Sequence, residues 1–303
     1  MLEKLIALTT TLLFCFSLNG QINKEDLAKI KAYEDSLIVD AFLVVNDTFP
    51  SSRFTATKKL IFHLKSALKF DHSFEYKFDR LNTVSIQYAP DNSFRIFTWQ
   101  LMVDQQDYRY FGAIQLNTPE VQLIPLSDRS MMVEDISRAQ LDARNWYGAL
   151  YYNIKQVEYA GRPAYLLFGY DSYQYRDRRK ILEVLQFDEN NNAVFGAPII
   201  PRAEGDNLSR LIVEYYGDSS VRLNYDDALE MIVYDHLITI PGKEGQGPIQ
   251  VPDGSYEGIK IVDNQLIYES KLFNNQAISE PPREEPVLGG NKKDLFGKEK
   301  RKN

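Results

Sequence analysis

Two runs decide the class of fold: Ala164-Tyr165-Leu166-Leu167-Phe168-Gly169-Tyr170 and Ile181-Leu182-Glu183-Val184-Leu185-Gln186-Phe187. Both are short, rich in aliphatic and aromatic residues and bounded by polar turn residues, which reads as strand. Both are apolar at successive positions, so each strand should be covered on its two faces. Residues 231–240 read the same way. Elsewhere the pattern is that of half-buried strands. Val221-Arg222-Leu223-Asn224-Tyr225 alternates, and Leu150, Tyr152 and Ile154 alternate with Tyr151, Asn153 and Lys155. Turn chemistry separates the runs at residues 90–92, 104–107, 160–163, 188–192 and 217–219. Connections this short favour antiparallel neighbours. The expected fold is mainly β: one many-stranded antiparallel meander over residues 71–273, curved or closed, with a propeller-like arrangement as the alternative.

Aromatic-Gly-Ala recurs at Phe111-Gly112-Ala113, Tyr147-Gly148-Ala149 and Phe195-Gly196-Ala197, with a looser Phe168-Gly169-Tyr170. The spacing follows no fixed period, so glycine at a bulge or beneath a ring is a better reading than a repeat.

Outward from the strands, residues 21–70 read as two helices. Asn23 caps the first, Glu25 and Asp26 favour its first turn, and Leu27, Ile30, Leu37, Ala41 and Val44 fall near one face. A break is expected at Phe49-Pro50-Ser51-Ser52. Thr55 or Thr57 then opens a second helix with Leu60, Ile61, Leu64, Ala67 and Leu68 as its apolar stripe and Lys58, Lys59 and Lys65 on a solvated face.

The two ends differ from the body. Residues 1–20 read as a secretory signal peptide, with Lys4 ahead of an apolar run over 5–18 and a cut before Gln21. The run is too short for a convincing membrane span. The sole cysteine, Cys15, follows Phe14, where a lipid-attachment site needs a small residue. The processed chain is therefore expected to be cysteine-free, without disulfides, Cys-ligated zinc or a thiol nucleophile. Residues 274–303 are proline-rich and then lysine-rich, the composition of a disordered tail.

Charged residues at 25% and apolar residues at 44% of 303 are ordinary for a globular protein. The net charge of −7 argues against nucleic acid as a partner and against tight attraction to anionic lipid. The tail contributes +2 and the leader nothing, which leaves −9 on the body.

No motif names a reaction. His63, His72 and His236 have no i,i+4 partner, and no metal or cofactor is expected. Asp235-His236 is the most suggestive pair, but neighbours in a strand point to opposite faces and cannot form a dyad. Asp188-Glu189-Asn190-Asn191-Asn192 opens like a calcium loop, yet Ala193 and Ile199 stand where that loop needs Gly and Glu, so it reads as a turn. There is no nucleophile elbow and no phosphate-cradling loop; residues 242–247 are glycine-rich but precede Pro248.

Aromatics remain. Tyrosines crowd the middle of the chain beside Trp99 and Trp146, and rings on a sheet can stack on a sugar or a peptide. The best single segment is 170–180, where Tyr170, Tyr173, Tyr175 and Arg176 lead into Arg178, Arg179 and Lys180. Candidate binding residues are Trp99, Trp146, Tyr170, Tyr173, Tyr175, Arg176, Asp235 and His236; no catalytic residue is assigned.

Phe94-Arg95-Ile96-Phe97-Thr98-Trp99-Gln100, Trp146-Tyr147-Gly148-Ala149-Leu150-Tyr151-Tyr152, Leu167-Phe168-Gly169-Tyr170-Asp171 and Phe195-Gly196-Ala197-Pro198 resemble a family of exported Bacteroidota proteins without an assigned activity. The resemblance spans about residues 90–240, and a leader ending in Gly-Gln is similar to that group's export signals; the protein is expected to be exported, periplasmic or secreted, with the periplasm favoured because the tail does not look like that phylum's folded sorting domain. The expected function is a non-enzymatic binding or assembly protein of the cell envelope, with an envelope protein or polysaccharide as partner. The competing expectation is a hydrolase of envelope or imported polymers using Asp226, Asp227, Glu230 or Asp235.

Overall fold

The computed structural model describes residues 22–272 apart from 119, 244 and 246, so the expected signal peptide and tail lie outside the described residues. Helix α1 spans Lys24–Asn46, and the Asn23 side chain accepts from the Asp26 backbone N–H as its cap. Helix α2 spans Pro50–Ala67. It starts earlier than expected. Pro50 opens it instead of breaking it, because the ring's fixed φ and missing N–H suit the first turn. Buried Arg53 then donates to the Asp47 and Thr48 carbonyls and, at 2.8 Å, to Met102 O, tying the helical hairpin to the sheet.

Strands β1 Ser85–Tyr88, β2 Phe94–Met102, β3 Tyr108–Leu116 and β4 Gln122–Ser127 form a four-stranded sheet in chain order. The central sheet contains β5 Leu141–Asp142, β6 Leu150–Tyr159, β7 Arg162–Asp171, β8 Asp177–Phe187 and β9 Ala193–Phe195, in the order β5-β9-β8-β7-β6. A two-stranded ribbon of β10 Ile200–Pro201 and β11 Asn207–Leu208 follows. Strand β12, Arg210–Tyr216, returns to β8 and pairs with the part of its edge that β9 leaves open. The last sheet is β13 Leu223–Asp226, β14 Met231–Pro241, β15 Pro248–Val262 and β16 Gln265–Leu272, again in chain order.

Every strand pair is antiparallel, so the molecule is mainly β with two N-terminal helices, as expected. The strands do not run as one meander or close into a barrel. They are split among separate sheets. The outer sheets have a propeller blade's strand number, but the central sheet has six strands in non-sequential order, so the sheets are not equal repeats.

The sheets and the hairpin stack as layers with three apolar interfaces between them. Ile30, Leu37, Leu60 and Leu64 of the helices pack with Phe97, Trp99 and Leu101 of β2. Phe94 and Ile96, on the other face of β2, pack with Tyr151, Leu167, Ile181 and Leu185 of the central sheet. Leu166, Phe168, Leu182 and Val184 cover the opposite face and meet Leu223, Ile232 and Ile259 of the last sheet. Strands β7 and β8 are thus buried on both faces, which is why their runs are continuously apolar. In β14 only Met231 to Asp235 is buried; Ile238 and Ile240 are exposed, against the expectation for that run.

The expected alternation in β6 is also corrected. The register shifts between Tyr151 and Asn153, a bulge that brings Tyr151 and Ile154 to one core face and turns Tyr152 to the other. Gly169 lies opposite, and a Cβ there would stand 3.2 Å from the Tyr151 ring: this glycine does sit beneath an aromatic. Arg95 is fully buried and hydrogen-bonds no carboxylate among the described residues. It donates to Gln115 Oε1, Tyr88 Oη and the Ser73 and Tyr76 carbonyls, amid the rings of Phe74, Phe78 and Phe97. It locks the chain between hairpin and sheet by satisfying each of these acceptors.

Candidate functional site

The β7–β8 hairpin ends in a tip at Ser172–Arg176, braced from beneath by Asp171. Asp171 is the last residue of β7, paired with Arg179. Its carboxylate is buried. One oxygen accepts from the Tyr110 hydroxyl at 3.0 Å and from the Tyr173 backbone N–H at 2.7 Å; the other accepts from the Tyr147 hydroxyl at 2.9 Å. The Tyr110 oxygen in turn accepts from the Ser172 N–H at 2.7 Å. Burial pushes the Asp171 carboxyl above its usual range, against the pull of these donors and of Arg179. Burial also drives the Tyr110 and Tyr147 hydroxyls far upward, reinforced by the nearby Asp171 charge. Both phenols therefore stay protonated and donate. The carboxylate is buried and occupied by three donors, so the arrangement is a brace for the tip.

Arg179 closes the brace. It donates to Tyr147 Oη at 2.9 Å and to Glu214 Oε2 at 2.8 Å, and its guanidinium lies 3.3 Å from the centre of the Tyr173 ring. Arg178 donates to the Ser172 and Asp177 carbonyls, and Gly217 N–H to the Arg176 carbonyl at 2.6 Å. With φ at 47°, Tyr173 adopts the left-handed backbone that a bulky residue seldom takes. Strain of this kind persists only where the surroundings over-determine it, as the Asp171 and Arg179 contacts do here. Above the brace, Tyr175 is 57% exposed and Arg176 is exposed.

The sequence-derived candidates therefore separate. Tyr173, Tyr175 and Arg176 lie in this tip, whereas Tyr170 lies in β7 just before it. Tyr170 is half-buried, with Lys180 Nζ 5.5 Å from its ring centre and 4.4 Å from that of Tyr152. Trp99 and Trp146 do not join them. Trp99 is buried under the helices and stacked on Phe111, and Trp146 is wholly enclosed, its N–H donated to Tyr151 Oη at 2.7 Å. Their rings pack protein, so neither offers a face to a ligand. Asp235 and His236 also separate. Asp235 is buried and accepts from Arg222 N–H; His236 sits at a register shift and bonds Asp253 at 3.0 Å through Nδ1.

Of the acids expected of a hydrolase, Asp235 is buried and Asp226 is engaged within its own turn, while Asp227 and Glu230 are exposed. Asp226 accepts from Ala228 and Leu229 N–H and pairs with Arg222 at 2.9 Å. Asp188 accepts from Asn190 and Asn192 N–H, the hairpin turn expected for that segment. An open depression of about 800 Å³ lies between residues 129–145 and Val194, but its Asp135 and Asp142 also cap backbone N–H groups. No group of three or more metal-ligating side chains occurs among the described residues.

Sequence reasoning missed Asp171 as the brace and, further along β8, the buried Glu183. The available signal was a carboxylate within or ending a run otherwise apolar on both faces, since a buried charge demands partners. No family model matches the chain, and no curated protein or solved structure matches it significantly.

Proposed function

We propose that this is an exported binding protein of the cell envelope, of the Bacteroidota type it resembles, which presents the 172–176 tip to an envelope protein or polysaccharide. The observation that carries the reading is an exposed Tyr175 and Arg176 on a strained turn braced by a buried carboxylate. A rigid base lowers the ordering cost of binding, and tyrosine with arginine supplies stacking and multiple donors at a contact centre. Engagement of Asp226 and Asp235 within the fold supports binding over hydrolysis. Export rests on Lys4 and the apolar run over residues 5–18.

Retention of the purified protein on isolated cell envelopes tests this. Tyr175→Ala and Arg176→Ala together should reduce retention at least about ten-fold, the loss of one hot-spot pair. Unchanged retention with both side chains removed would overturn it.

A further inference from the structure

The helical hairpin carries an exposed face that the fold does not use. Phe54, Ile61 and Phe62 of α2 are 40%, 40% and 65% exposed, and Lys58 and Lys65 are exposed with them. Positions 54, 58, 61, 62 and 65 lie on one side of a helix. The opposite side, with Ala56, Thr57, Leu60 and Leu64, is buried. The helix contains no Asp or Glu; its cations are Arg53, Lys58, Lys59 and Lys65. Arg53 is consumed internally, and none of the three lysines forms an ion pair among the described residues. Beside it, α1 adds Val39 and Phe42 at 58% and 57% exposure.

The outer face of α2, with aromatic, aliphatic and lysine side chains and no acid of its own, is a local reversal of charge on an acidic body. At physiological ionic strength charges act over about 8 Å, so this face, and not the net charge, governs what approaches it. We infer that the outer face of α2 is an interfacial membrane-binding surface for bilayers carrying anionic headgroups. The helix lies along the bilayer. Phe54, Ile61 and Phe62 enter the boundary between headgroups and acyl chains, while Lys58 and Lys65 meet the lipid phosphates. Charge complementarity selects this occupant: an apolar face alone would suit many partners, whereas lysines interleaved with rings suit an anionic interface. No described helix is long and apolar enough to cross a membrane, and this mode of attachment needs none. The inference stands on α2 and is independent of the 172–176 tip.

Co-sedimentation of the full chain with phosphatidylcholine vesicles, with and without phosphatidylglycerol, tests it. The quantity read is the preference for the anionic vesicles, to which the uncharged apolar leader run contributes nothing. The wild-type chain should prefer them at least about ten-fold, a preference that falls steeply with added salt. Lys58→Glu with Lys65→Glu should abolish the preference. Phe54→Ser with Phe62→Ser should weaken binding several-fold at unchanged thermal stability, since both side chains are exposed. Equal partition between the two vesicle types, or a preference that survives the charge reversal, overturns the assignment and leaves the face to an acidic protein.

Discussion

Glu183 and Arg210 form an ion pair in which neither side chain has any solvent access. They face each other across β8 and β12, and Arg210 Nε donates to Glu183 Oε1 at 2.6 Å. The other carboxylate oxygen accepts from the Tyr151 hydroxyl, which itself accepts from the Trp146 N–H. Arg210 Nη2 donates to the same Glu183 oxygen, and Nη1 donates to the Ile136 carbonyl. Two charges tolerate this depth because each finds its partners.

Breaking the pair on one side should therefore be severe. Glu183→Gln leaves the guanidinium without a counter-charge and should cost about 3–5 kcal/mol. Glu183→Leu combined with Arg210→Met removes both charges and should recover much of that loss. Urea unfolding of the single and double variants checks it: a double variant that loses the sum of two severe single losses would contradict the account.

The two tryptophans should respond differently to the same change. Trp146 donates to Tyr151 inside the Glu183 network, so Trp146→Phe removes a bond and opens a gap, at about 2–4 kcal/mol. The Trp99 N–H is buried with no partner among the described residues, so Trp99→Phe removes a group that contributes no bond. Urea midpoints should put Trp146→Phe well below Trp99→Phe; equal losses would refute the contrast.

Asp171 should impose a pH signature. Burial raises its carboxyl above the unfolded value of 3.8, so between those two values the folded protein holds more proton than the unfolded chain. Its contribution to stability thus falls as pH rises through that window. Asp171→Asn lacks this slope, so its stability relative to wild type should improve from pH 4 to pH 7, even though losing the brace costs about 1–3 kcal/mol at the outset. Asp177 and Asp235, also raised chiefly by burial, are common to both proteins and cancel in the difference. Parallel urea titrations at the two pH values supply the test, and a deficit that widens with rising pH or stays constant counts against the brace.

Local chemistry made the strand-rich class, the Asn23 cap and the hairpin turns legible in the chain, because propensity and turn residues act over a few positions. The β6 bulge was not legible. A one-residue shift leaves no mark in the alternation of Leu150 to Lys155 and shows only once Gly169 is seen opposite Tyr151. The division into separate sheets was hidden for a similar reason: β12 returns to β8 across a long stretch of chain, and short turns say nothing of distant pairing. Along residues 170–176, Tyr170, Tyr173, Tyr175 and Arg176 were readable as an aromatic and basic segment. The brace was not, because Tyr110, Tyr147 and Asp171 converge from three separate strands and loops.

The proposed contact surface is the 172–176 tip. Site-specific photocrosslinking in intact cells tests it most directly, with the photoreactive residue at position 175 and, as control, at Tyr159, another partly exposed tyrosine. The account predicts a discrete adduct from position 175 that Arg176→Glu abolishes, and none from position 159. Equal labelling from the two positions, or no adduct at 175, would contradict it.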